Sequence, residues 1–427
     1  MLLKLLIASI ITGLISGIFI TFYELLITFM SYFIFFGNPV DTIPELPVWY
    51  IYLVPTVAIF IVNYIISRDK NVREYGVSEI ADSVCENRMI LTIRTLFLKV
   101  LASALSLSSG FLVGTEGPSA GIGAMIAYQV HKWFRMPAMF TKLMISVGAS
   151  SGIAAIFVSP VTGLAFAFEN IAYQFLKQYM GYLILSAVIA FSISLNFLEP
   201  IIFQHSHGRR VDLDYVYANL LFIPFITLFI YFYLFLKKRV LHFVDLEIFI
   251  KFSRYRNYIF ALIGGSIVGT IMLIKPEAAF SGKFIVTTLI NKESHIPLLL
   301  IFGVILLRII GTTVAIYANA VGGLFLPLMS IGALIGYAFG EVMLAYHIVV
   351  EPFYFAAIGA AVFMGVLMNL PLTALILSLE TTFDYNVVVA TGVTVVLASY
   401  LSNLYFDIRK KASTQKEKID AREIGKE

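Results

Sequence analysis

The sequence predicts an all-α, polytopic membrane protein made of two repeats, and three observations carry that prediction. Of its 427 residues, 59% are hydrophobic and only 13% are charged, against about 25% charged in a soluble domain. Apolar runs of spanning length recur at Leu2–Phe36, Ile51–Ile66, Tyr182–Phe203, Leu220–Leu236, Ile259–Ile274, Pro297–Ile316 and Val387–Leu404. A span takes about 20 apolar residues, and a re-entrant piece takes fewer. The third observation is internal repetition. Pro118-x-x-x-Ile122-Gly123-Ala124-x-Ile126-x-Tyr128 returns as Pro327-x-x-x-Ile331-Gly332-Ala333-x-Ile335-x-Tyr337. Pro160-Val161-Thr162-Gly163-Leu164, followed by Glu169, returns as Pro371-Leu372-Thr373-Ala374-Leu375, followed by Glu380. The two offsets, 327 − 118 = 209 and 371 − 160 = 211, nearly agree.

These offsets divide the chain into a first membrane repeat at 1–200, a linker at 201–214, a second repeat at 215–408 and a charged tail at 409–427. Repeats of this kind in transporters are commonly inverted about an axis in the membrane plane, which is the expectation here. Glycines and prolines interrupt the apolar sequence at Gly110, Gly152, Pro160, Gly163, Gly323, Pro327 and Pro371. Breaks are tolerated in a bilayer only where the freed backbone faces protein or a polar cavity. The expected helices are therefore many, short, tilted and broken, with little β-structure.

The N-terminus is apolar at once and has no small-residue cleavage site, so a retained first helix is expected. Cys85 is the only cysteine, which excludes an internal disulfide and a cysteine-based metal site. His205 and His207 are the only closely spaced histidines, and no carboxylate accompanies them; neither a metal nor a cofactor is expected. Lys and Arg cluster at Arg68–Arg73, Lys132–Arg135, Lys237–Arg239 and Arg409–Lys411. These read as flanking charge at membrane edges, not as a nucleic-acid surface. By the positive-inside rule the tail is cytoplasmic in a multi-pass protein of the cell membrane.

One stretch stands apart from this apolar background. In Gly114-Thr115-Glu116-Gly117-Pro118 a lone carboxylate sits between glycines, just ahead of a proline suited to a first helical turn. Glycine permits close backbone approach there. A buried helix start presents free N–H groups and attracts anions, so the Glu116 carboxylate reads as an anion's rival for one position. An ionisable group inside a membrane is functional by default. The second repeat has its own helix start in Gly322-Gly323-Leu324-Phe325-Leu326-Pro327, without a carboxylate. A third helix is expected to begin after Gly76 in Tyr75-Gly76-Val77-Ser78-Glu79.

Together these motifs resemble the CLC family of chloride channels and chloride/proton exchangers, of the prokaryotic type. The family's Gly-Lys/Arg-Glu-Gly-Pro loop is matched by Gly114–Pro118 except at Thr115, and its Gly-x-Phe-x-Pro by Gly323-Leu324-Phe325-Leu326-Pro327. A Gly-Ser/His-Gly-Ile/Val-Pro loop is matched in part by Glu74-Tyr75-Gly76-Val77-Ser78. Tyr405 resembles the family's anion-binding tyrosine, and Lys99 and Arg308 sit where the family has buried basic residues. The resemblance runs from Leu2 to about Lys411; only a short tail follows, so no cytoplasmic regulatory domains are expected.

The resemblance implies a CLC-like fold, a homodimer with one pore per subunit in membrane lipid, and transport of chloride with protons. It implies anion binding at Tyr75, Gly76, Val77, Gly117, Leu324, Phe325 and Tyr405, and gating by Glu116. The apolar segments Ser159–Ile171 and Pro371–Glu380 are the expected dimer contact. Thr115 replaces the usual basic residue, Tyr75 a serine or histidine, and Ser78 a proline. The inner proton-transfer glutamate of many exchangers aligns with Asn170, leaving the adjacent Glu169 as the nearest carboxylate for that role. The alternative is an uncoupled chloride channel of the same fold. A more remote alternative, an intramembrane enzyme, would need a Ser/His pair, paired aspartates or a histidine cluster within the spans, and none is evident.

Overall fold

A computed structural model describes residues 1–73, 77–86, 91–170, 173–201, 213–244, 256–289, 297–348 and 350–403. Tyr75, Gly76, the His205/His207 pair, Tyr405 and the tail lie outside the described residues, as does the side chain of Asn170. The described residues are almost wholly helical, and their only β pairing is an isolated bridge between Gly114 and Gly323. Among the described residues, eight helices are long and apolar enough to cross a membrane. This is an all-α polytopic membrane protein.

The first half contains α1 (Leu2–Phe35), α2 (Val48–Arg68), α3 (Val77–Cys85), α4 (Ile93–Ser108), α5 (Glu116–Trp133), α6 (Thr141–Phe157), α7 (Pro160–Asn170) and α8 (Tyr173–Ser194). The second contains α9 (Leu213–Val244), α10 (Arg256–Ile274), α11 (Lys283–Leu289), α12 (Leu298–Tyr317), α13 (Phe325–Ala345), α14 (Pro352–Met368), α15 (Pro371–Thr382) and α16 (Tyr385–Asn403). The halves correspond helix by helix. The smallest offset between starts is from Ile93 to Leu298, 298 − 93 = 205, and the largest from Tyr173 to Tyr385, 385 − 173 = 212.

Packing repeats as well. A methyl group on Gly123 of α5 would stand 2.1 Å from the Gly148 carbonyl of α6, and one on Gly332 of α13 would stand 2.2 Å from the Gly359 carbonyl of α14. Such small-residue contacts let helix backbones meet where lipid supplies no hydrophobic drive. Both α6 and α14 end on a left-handed residue, Val158 at φ 53° and Asn369 at φ 58°, and a proline then starts the next helix.

Two expectations about spans need correction. The helix expected at Tyr182–Phe203 runs from Tyr173 to Ser194. Its start was hidden because Gln174, Lys177 and Gln178 interrupt the apolar sequence, and Pro200 disfavours helix ahead of it. Helices α6, α13 and α14 were not among the apolar runs, yet most of their residues are buried. Lys142 and several serines break up α6, Pro327 and Glu341 interrupt α13, and α14 has only 17 residues, while their glycines and alanines permit close packing.

Candidate functional site

The centre of the molecule is where α5 and α13 begin. Gly114 and Gly323 exchange two backbone hydrogen bonds, N–H to carbonyl in each direction, both at 2.7 Å. No side chain fits at Gly323, where a methyl group would lie 2.7 Å from the Gly117 nitrogen. The bridge sets the first turns of two helices from opposite halves beside one another. First-turn N–H groups have no carbonyl partner within their own helix. Pro118 and Pro327 have no N–H to place and so restrict the available donors to the residues just before them.

The Glu116 side chain lies over this junction and is 2% exposed. The backbone amides of Glu116 and of Leu326 face its carboxylate. Its Oε2 has no hydrogen-bond partner and packs against Gly114, where an added methyl would stand 2.1 Å from it. A carboxylate therefore already occupies the position to which the first turn of α13 points. Phe325 is 1% exposed and its ring packs on Phe157, the last residue of α6, with centroids 4.8 Å apart. Leu324 precedes α13, and Gly117 is in the first turn of α5. Glu116, Gly117, Leu324 and Phe325 are thus brought together. Val77 starts α3, as expected for a helix beginning after Gly76.

Two buried cations flank the junction, again as repeat counterparts. Lys99 on α4 and Arg308 on α12 are both 0% exposed, and 308 − 99 = 209. Lys99 donates to the Arg73 carbonyl at 3.0 Å, just ahead of α3. Arg308 donates to the carbonyls of Ala278, Ala279 and Ser281, at 3.1, 3.2 and 2.9 Å, just ahead of α11. Each cation staples the loop that leads into the short helix of its own half.

Glu169 is engaged at a helix start. Its carboxylate accepts from Leu372 N–H at 2.5 Å, Thr373 N–H at 2.8 Å and the Thr373 hydroxyl at 2.6 Å. It caps the start of α15 in the other half. Glu380 returns the contact, accepting from Thr162 N–H and hydroxyl at 2.6 Å each, from Val161 N–H at 3.2 Å, and from the Ser159 hydroxyl. The segments expected at a dimer contact, α7 and α15, are in this way bound to each other within one chain. Helix N-termini favour anionic caps, so this role follows from position alone.

The sequence reading missed the opening beside Glu116. A cavity of about 240 Å3 is lined by Glu24 and Thr28 of α1, by Thr115 and Leu326 of the junction, and by Glu277 and Lys283. Lys283 pairs with Glu24 at 3.2 Å, and Lys275 with Glu277 at 3.0 Å. A single acid in an otherwise apolar first helix was the available signal. Among the described residues no cluster of metal-ligating side chains occurs.

The chain matches known proteins over most of its length. A family model described as voltage gated chloride channel covers residues 56–403. The H(+)/Cl(-) exchange transporter ClcA of Vibrio cholerae (strain O395) is 26% identical over 408 residues, covering 90% of this chain and 83% of that protein. The protein of the same description from Citrobacter koseri is 28% identical over 344 residues, covering 77% and 70%. Among solved structures, a slow cyanobacterial Cl-/H+ antiporter superposes with a TM-score of 0.82 at 24% identity, over 94% of this chain and 95% of the other. A CLC-type fluoride/proton antiporter superposes with a TM-score of 0.73 at 19% identity, over 95% and 96%. With its fold and the match over residues 56–403, the chain belongs to the voltage gated chloride channel family.

Proposed function

We propose that this chain exchanges chloride for protons across the cell membrane, with Glu116 as both gate and proton carrier. The observation that carries the reading is the buried Glu116 carboxylate, seated where the first turns of α5 and α13 meet. A dehydrated chloride takes N–H donors from those turns at Gly117, Leu324 and Phe325, from the Tyr75–Val77 loop ahead of α3, and from the Tyr405 hydroxyl. Lys99 and Arg308 contribute positive potential from a distance while bonded to backbone carbonyls. No full charge then needs to touch the ion, and binding stays weak enough for release. Ionised Glu116 holds the anion's place; protonated Glu116 gives it up and carries its proton away. The relatives described as H(+)/Cl(-) exchange transporters support this choice.

The carboxylate of Glu169 is engaged as a helix cap, and Asn170 occupies the aligned inner position. Both observations favour a second reading, an uncoupled chloride channel of the same fold. The test is a paired flux measurement on purified protein in liposomes. A chloride gradient that drives protons uphill supports the exchanger; chloride flux without proton movement selects the channel, and absence of chloride flux removes both. The same reading includes a homodimer with one pathway per subunit, two membrane repeats related by an axis in the membrane plane, and a cytoplasmic tail at 409–427. It is a reading of transport and not of catalysis.

A further inference from the structure

The cavity beside Glu116 lies against the loop that Arg308 holds ahead of α11. Lys99 is bonded to the Arg73 carbonyl, and its repeat counterpart Arg308 staples the segment leading into α11. The segment that Arg308 holds is Ser281–Gly282–Lys283, and it lines the cavity. Gly282 is required there: its φ is +94°, and a methyl group would stand 2.3 Å from the Arg308 guanidinium and 2.5 Å from the Ser330 hydroxyl. The loop is thus pressed against α12 and α13 by a buried cation, and it delivers the Lys283 side chain to the cavity wall.

Lys283 does not stand alone. Glu24 reaches across from the other half of the chain to within 3.2 Å of it, with 13% of the Glu24 side chain exposed against 40% of Lys283. The second Glu24 oxygen is buried and has no hydrogen-bond partner. Such an oxygen is costly to desolvate, so the pair has an incentive to rearrange when another anion arrives. Glu277, the cavity's other acid, is already matched by Lys275. Lys283 is therefore the cation that decides whether the cavity attracts anions, and Glu24 is the group that cancels it. Thr115, on the cavity wall beside Glu116, leaves the junction without a basic residue of its own.

We propose that Glu24, Lys283 and the Ser281–Lys283 loop form an additional anion site at this mouth, in which the Glu24 carboxylate and a small monovalent anion such as chloride compete for the Lys283 ammonium. It repeats, one step nearer the solvent, the competition in which Glu116 takes part at the junction. This rests on the reading of the chain as an anion transporter.

The test measures chloride uptake into liposomes against chloride concentration on the cavity side. Lys283→Gln raises the half-saturating concentration about tenfold, the low end of what a charged cleft contributes to local anion capture. Glu24→Gln lowers it, because Lys283 is then uncancelled. A pair that serves only to hold α1 to α11 would give losses of the same sign with either variant. That result, or no shift in either, overturns the proposal. Because Glu24→Gln leaves a buried amide and could misfold, a second arm uses Lys283→Cys in a Cys85→Ser background. A membrane-impermeant cationic thiol reagent restores the wild-type value, and an anionic one worsens it. Equal effects of the two reagents also overturn the proposal. A wild type that moves no chloride removes the transport reading itself, whereas a wild type that transports with charge-independent variants removes only this site.

Discussion

Replacing Glu169 separates two roles for one carboxylate. In Glu169→Ala the start of α15 loses three donors' common acceptor: the N–H groups of Leu372 and Thr373 and the Thr373 hydroxyl. Hydrogen bonds to charged groups are worth about 1.5–3 kcal/mol each in soluble proteins, but polar contacts between membrane helices average only about 0.6 kcal/mol. Three bonds give about 2 kcal/mol on the membrane scale. Helix-cap deletions cost about 0.5–2 kcal/mol, which supports the same size. The expected loss is about 2 kcal/mol for Glu169→Ala and about half of that for Glu169→Gln, which keeps an acceptor oxygen but not the charge. Thermal unfolding in detergent followed by size-exclusion fluorescence measures the ranking wild type, Gln, Ala. Proton-to-chloride coupling, measured on the fraction that remains folded, should stay at the wild-type ratio. A Glu169→Gln protein with unaltered stability and chloride flux but no proton flux would refute the cap argument and return Glu169 to the proton route.

The remaining expectations concern the junction and its supports. Glu116→Gln mimics the protonated acid, so it should pass chloride at every pH and abolish proton movement driven by a chloride gradient, whereas the wild type runs faster as pH falls; a mutant that keeps wild-type pH dependence would sink the gate assignment. Gly114→Ala places a methyl 2.1 Å from the Glu116 Oε2 and 3.1 Å from the Pro327 ring; the flexible carboxylate is the group able to give way, so chloride flux in neutral buffer should rise with the fold intact. Tyr405→Phe removes one hydroxyl donor, and calorimetric chloride titration should show affinity weakened by about 1 kcal/mol, up to about 3 for a charged acceptor; unchanged affinity removes Tyr405 from the site. Val158→Asn relieves a β-branched residue held at φ 53° and should raise stability by about 1 kcal/mol, read as a higher melting temperature.

Much of this arrangement was legible in the residues because it is repeated. A match at 118 and 327 located α5 and α13, and Gly-Thr-Glu-Gly-Pro marked the one place where a carboxylate would meet a helix start. The sequence reads Glu380 as structural, and its carboxylate accepts from Thr162 and Val161 in the other half. Its counterpart Glu169 stood open between a helix-end partner and a proton role, because it adjoins Asn170 while the capping partner lies 203 residues away at Leu372. The Glu24–Lys283 pair, 259 residues apart, was invisible for the same reason: no local pattern ties an acid on the first helix to a lysine opening a short one. Helix α14, with 17 residues, is shorter than a full span, and Pro327 and Glu341 interrupt α13, so neither stood out as a long apolar run.

The glycine bridge also imposes a schedule on biosynthesis. Gly114 enters the membrane during synthesis well before Gly323 exists, and 323 − 114 = 209 residues separate them. At about 5–20 residues per second, Glu116 waits roughly 10–40 s before the first turn of α13 arrives to face it. During that interval its carboxylate must stay protonated, remain hydrated near the bilayer surface, or be sheltered by the insertion machinery. Arrest of synthesis between residues 130 and 320 should therefore leave a first half that is integrated poorly, and Glu116→Gln should correct the defect in the arrested fragment.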